Sequence, residues 1–126
     1  MLNLYLWMMA ASFAEILSFM AKADVDPGKA IDIWKTTVFN NYVIENKSEK
    51  VLKADFKRHF TVDLTLKDIQ LAMEIAEELG FPTPIASTVR DLFTECKAMG
   101  LSELDYISIV KLYESIWGVK VAGTKS

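Results

Sequence analysis

At 126 residues, with 52% apolar and 25% charged side chains, the chain is long enough to bury one core and too apolar to be disordered. A net charge of -3 argues against the basic face that a nucleic-acid binder needs. The single cysteine, Cys96, excludes an intrachain disulfide and a cysteine-based metal site, and makes a reducing, cytoplasmic setting the expectation.

Strand signals are almost absent, so an all-α domain of about six helices is expected over residues 1–126. The first helix should run from about Asn3 to Ala21. Met1 to Met20 is apolar enough to suggest a membrane span, but Asn3, Ser12, Glu15 and Ser18 interrupt it. No basic segment precedes it, and Glu15 at its centre would cost about 2.5–3.5 kcal/mol in a bilayer. A helix apolar nearly all round is then one buried by a core or by a partner subunit, and Met1, Met8, Met9 and Met20, with Trp7 and Phe13, read as packing residues. Asp26-Pro27 supplies a cap and a first-turn proline for a second helix to about Lys35. Asn40 and Asn41 look like caps for a third, about Tyr42 to Lys53, with Glu45, Lys47, Glu49 and Lys50 on a solvated side. Phe56 to Leu64 reads as irregular. Thr65 then caps a fourth helix with Asp68 in a capping-box-like position, and Gly80 ends it. Pro82 and Pro84 flank the start of a fifth helix, about Ile85 to Met99. Ser102 caps a sixth, and Val119 to Ser126 reads as a frayed tail.

Candidate chemistry is sparse. Lys67 and Asp68 open the fourth helix, where a dipole-favoured aspartate beside a solvated lysine is the plain explanation. Asn3 is an ordinary helix-start polar residue on the same footing. His59 is the one histidine and has no Ser or Cys partner pattern for a triad. Cys96, on an amphipathic helix, reads as a core or boundary thiol. Glu74, Glu77 and Glu78 read as a solvated helix side rather than a metal site.

The order of these residues carries more than any one of them. Phe60-Thr-Val-Asp-Leu-Thr-Leu-Lys67-Asp68-Ile69, behind Phe56 and followed by Ala72, Ala76, Gly80 and Pro84, resembles the C-terminal helical domain of the 3-hydroxyisobutyrate dehydrogenase family. These β-hydroxyacid dehydrogenases are related to 6-phosphogluconate dehydrogenase. Leu101-Ser-Glu-Leu-Asp105-Tyr-Ile-Ser-Ile109 fits the same pattern, and the likeness spans Asn3 to about Trp117.

The resemblance implies a fold like the 6-phosphogluconate dehydrogenase C-terminal domain, with a long first helix. It implies NAD or NADP as cofactor, bound mainly by an N-terminal Rossmann domain that this sequence does not contain. The lysine at the Lys67 position contacts the cofactor, the acid at Asp68 shapes the cleft, and the aromatic at Phe60 lines it. The asparagine at Asn3 binds substrate, a small hydroxyacid. The family's acid/base lysine falls one residue before Met1, so no catalytic residue is assigned here. With no Gly-x-Gly-x-x-Gly either, inactivity of the chain alone is the expectation. The implied role is to close the substrate cleft and form a homodimer, with the Rossmann domain in cis or in trans. Two alternatives stand beside it: a stand-alone, non-catalytic helical interaction module, and a small protein anchored in a membrane by Met1 to Met20.

Overall fold

The computed structural model describes residues 1–123, and Thr124 to Ser126 lie outside the described residues. Six α-helices follow one another: α1 Leu2–Lys22, α2 Pro27–Trp34, α3 Tyr42–Leu52, α4 Val62–Glu78, α5 Pro84–Ala98 and α6 Ile109–Trp117. A 3-10 turn, Tyr106–Ser108, leads into α6. The expected all-helical architecture is upheld, and the described residues contain no strand beyond an isolated bridge between Thr61 and Asp105.

Local chemistry explains most boundaries. Asp26 accepts the Gly28 amide ahead of Pro27, and Asn41 accepts the Ile44 amide, so both short helices have side-chain caps. Of the two expected asparagine caps, Asn40 instead donates to Glu45. Gly118 adopts φ 63° after α6, a left-handed conformation that glycine reaches without a Cβ clash.

α1 forms the spine. Trp7, Ala10, Phe13, Ala14 and Leu17 are buried against all the other helices, with Ile44, Val51, Ile69, Phe93 and Ile107 filling the rest of the core. Fully burying side chains of this size contributes about 1.5–3 kcal/mol each. By length and composition α1 could cross a membrane, yet its Trp7–Leu17 stripe is the wall on which this domain assembles.

Four expectations need correction. The fourth helix begins at Val62, not after Thr65. Thr61 is its cap, its hydroxyl accepting the Leu64 amide, while Thr65 lies buried in the helix and bonds back to the Thr61 carbonyl. The first helical amides also find acceptors: Val62 donates to the Leu104 carbonyl and Asp63 to that of Ser102. Ser102 does not cap a helix; Asp105 does, accepting the Ile107 amide. Lys47 is not on a solvated side but 5% exposed. The tail is not frayed over its described part. Val121 and Ala122 are buried, and both amides donate to one Glu114 carboxylate oxygen.

Candidate functional site

Three separated segments converge at the N-terminal end of α1. Trp7 comes from α1, Asp68 from α4 and Phe60 from the turn before α4. The Trp7 indole N–H donates to Asp68 Oδ2 at 2.7 Å, a short, charge-assisted bond. Phe60 stacks on the Trp7 indole with centroids 5.0 Å apart, and Tyr106 meets its edge at 5.0 Å. Trp7 is 1% exposed and Phe60 partly buried.

The turn that carries Phe60 is held by Asp105. One carboxylate oxygen accepts the amides of His59 and Phe60 at 3.2 and 3.1 Å. The other accepts the Ile107 amide and pairs with the Lys47 ammonium at 2.9 Å. Asp105 is 0% exposed, so its charge is stable only because so many donors surround it. The Lys47 ammonium also lies 4.7 Å above the Tyr106 ring. Backbone bonds from Asp105 to the Phe56 carbonyl and from Tyr106 to the Phe60 carbonyl complete the brace.

The predicted site residues are thus partly assembled. Phe60 and Asp68 are linked through Trp7, a residue that sequence reasoning treated as packing. The available signal was its spacing: Trp7 lies four residues after Asn3 and so on the same helix face. Asn3 is exposed in the first turn of α1 and makes no side-chain hydrogen bond among the described residues. Lys67 and Asp68 do not open their helix but stand in its second turn. Asp68 is therefore held by an indole rather than by a helix dipole, and Asp63 is the first-turn acid. Lys67 is turned away from Asp68, with its ammonium 3.5 Å from Asp63, which also pairs with Lys97 at 3.4 Å. The Lys67 side chain is 67% exposed, and such a pair rearranges at little cost.

The remaining candidates stay outside this site. The His59 ring is exposed beside Lys50, and Glu74, Glu77 and Glu78 are exposed. Cys96 is fully buried, and burial pushes its thiol up to about 12, far from a reactive thiolate. No group of three metal-ligating side chains occurs among the described residues.

A family model described as NAD-binding of NADP-dependent 3-hydroxyisobutyrate dehydrogenase matches residues 1–113. The chain belongs to this family. Its members are NAD(P)-dependent hydroxyacid dehydrogenases, as the sequence resemblance implied. The chain is 34% identical over 122 residues to 2-(hydroxymethyl)glutarate dehydrogenase of Eubacterium barkeri, covering 96% of this chain and 40% of that protein. It is 29% identical over 116 residues to L-threonate dehydrogenase of Escherichia coli K12, covering 92% and 37%. A crystal structure of 3-hydroxyisobutyrate dehydrogenase from Salmonella typhimurium superimposes with a TM-score of 0.83 at 27% identity, over 87% of this chain and 39% of that one. The Mycobacterium tuberculosis 3-hydroxyisobutyrate dehydrogenase with L-serine shares the fold, with a TM-score of 0.78 at 20% identity. The chain spans about two fifths of the length of these family members.

A dinucleotide would need a cation for its phosphates and a backbone cradle for its pyrophosphate. Lys67 offers an exposed ammonium to a negatively charged edge. A pyrophosphate needs backbone amides in a glycine-rich turn between strand and helix. The described residues hold no such turn: Gly80, Gly100 and Gly118 lie just beyond helix C-termini, Gly123 lies after α6, and Gly28, the one glycine at a helix start, follows no strand and already gives its amide to Asp26.

Proposed function

We propose that this chain is the helical C-terminal half of an NAD(P)-dependent β-hydroxyacid dehydrogenase of the 3-hydroxyisobutyrate type. It closes the substrate cleft against a Rossmann domain supplied in cis or in trans, and it forms a homodimer. The observation that carries this reading is the convergence of Trp7, Phe60 and Asp68 one helical turn beyond Asn3. An amide, a carboxylate and an aromatic ring near one end of one long helix support a substrate-facing role there.

The bound dinucleotide supplies the hydride chemistry. This chain supplies orientation and exclusion of water. Asn3 hydrogen-bonds the hydroxyacid. Asp68, fixed by the Trp7 indole, shapes the cleft and sets the polarity of its wall. Phe60 covers the reacting region from solvent, which strengthens every polar contact inside it. Lys67 releases Asp63 and meets the cofactor's negative charge, a strong contact once water is excluded. The exposed apolar side chains Phe19, Ile116 and Trp117 support the homodimer, since a patch of that kind marks an interaction surface. The buried thiol of Cys96 is compatible with a reducing cytoplasm.

Calorimetry with NAD and with NADP tests the reading, first on the chain alone and then with a family Rossmann-domain polypeptide added. Binding and hydride transfer in the mixture, but not in the chain alone, are expected. Absence of binding and of association in both settings would overturn the reading in favour of a non-catalytic interaction module.

A further inference from the structure

We infer that Asp105, neutralised by Lys47, is a positioning residue for the cleft wall: it sets the orientation of Phe60 and, through Trp7, of Asp68. The link to a cleft rests on the proposed function, whereas the link among the four side chains rests on geometry alone.

Three observations support it. First, both Asp105 oxygens are committed in opposite directions. One holds the consecutive amides of His59 and Phe60, which fixes the backbone from which the Phe60 ring projects. The other is tied to Lys47 on α3 and to its own following turn through the Ile107 amide. Second, that turn begins with Tyr106, whose ring closes the Trp7 edge and carries the Lys47 ammonium on its face. The same ion pair therefore fixes both aromatic neighbours of the indole. Third, the indole has one polar atom, its N–H, and that atom meets Asp68 at 2.7 Å. A ring held between Phe60 and Tyr106 cannot rotate without leaving its N–H, and the Asp68 carboxylate, without their partners.

A carboxylate suits this task better than a neutral acceptor. It takes several donors at once, and its buried charge demands all of them, so the turn has one low-energy arrangement. Lys47 then serves as the counter-charge rather than as a substrate contact, consistent with its 5% exposure.

The test reads the Trp7 indole N–H directly by ¹H–¹⁵N spectroscopy, with Asp68→Asn and Trp7→Phe variants to assign its resonance and define its shift when the bond to a carboxylate is lost. The variant to examine is Lys47→Met combined with Asp105→Leu. It removes both buried charges together and leaves no unpaired ion, so the three freed amides are the remaining cost and the helices are expected to stay folded. Circular dichroism and core amide protection should match the parent. The His59 and Phe60 amides should exchange about tenfold faster or more, because their acceptor is gone. The indole resonance should move towards its Asp68→Asn position, a change that loss of general stability would not produce. A folded double variant with the indole resonance at the parental position would overturn the inference. So would a variant that loses the whole fold, because the pair would then be a general core element. Dinucleotide titration of the parent in the presence of a Rossmann domain is a separate arm. Its failure would remove the cleft but leave the indole result intact.

Discussion

At its N-terminal end α1 presents Trp7, stacked on Phe60, edged by Tyr106 and with its single polar atom engaged, in the same brace as a carboxylate, Asp105, with four donors. At its C-terminal end it presents Phe19, 68% exposed, next to Ile116 and Trp117 of α6 at 58% and 54%. The groove between them has a volume of about 520 Å³ and is lined mainly by apolar surface, with Glu15 and Lys22 at its margin. One end is satisfied from within, whereas at the other end these three apolar side chains stay largely uncovered among the described residues. A geometry that must be accurate is built from directional bonds among residues distant in sequence. The groove has apolar area with directional bonds only at its edges, Glu15 with Tyr113 and Lys22 with the Trp117 carbonyl, the pattern expected of the proposed homodimer surface.

The contrast can be broken most severely at Asp105. Asp105→Ala leaves Lys47 charged, buried and unpaired, and strands three amides. Unfolding in urea should show a loss of roughly 3–5 kcal/mol, and full stability would mean the pair is solvated. Trp7→Phe keeps the stacking and deletes the N–H that meets Asp68, so a smaller loss of roughly 1–3 kcal/mol is expected in the same experiment. At the other end, Trp117→Ser should change chain stability by no more than about 0.5 kcal/mol while lowering the association measured by sedimentation. An unchanged mass distribution would remove that groove from the dimer interface. The mildest change is Lys67→Ala, which breaks an exposed pair worth about 0.3–0.5 kcal/mol. It should leave the urea midpoint nearly unmoved yet weaken dinucleotide binding by the assembled enzyme.

A pH scan addresses the core that joins the two ends. Burial raises the Cys96 thiol from 9.0 to about 12, and burial also raises the Tyr106 and Tyr113 hydroxyls, the latter with help from its bond to Glu15. Each group ionises first in the unfolded chain. Stability is therefore intact below about pH 9 and falls as pH rises from there towards 12. Cys96→Ala should delay the onset towards pH 10, the ordinary tyrosine value. An unchanged alkaline limb would mean that the thiol is hydrated in the folded state.

The six helices were legible because capping residues and first-turn prolines are local signals: Asp26-Pro27, Asn41 and Pro84 act where they stand. The start of α4 was misread because Val62-Asp-Leu-Thr has the β-branched character of an extended segment. What makes it helical is an acceptor supplied by Leu104, some forty residues on, together with the Thr61 cap. The burial of Lys47 was illegible for a related reason. Nothing within a turn of Lys47 distinguishes it from Lys50 or Lys53; its partner is 58 residues away. Family resemblance singled out Phe60 and Asp68, and the structure brings both against Trp7; the indole that joins them was not legible, since a tryptophan in an apolar helix looks like any core residue.

That separation of 58 residues also has a consequence in time. A ribosome adding roughly 5–20 residues per second takes roughly 3–12 seconds to pass from one partner to the other. Until Asp105 emerges, docking α3 on α1 would bury the Lys47 ammonium without its counter-ion, which disfavours that step. Stable docking of α3 is therefore expected only after Asp105 has left the exit tunnel. Any lesion that stalls synthesis between the two would release a chain whose third helix has nowhere to go.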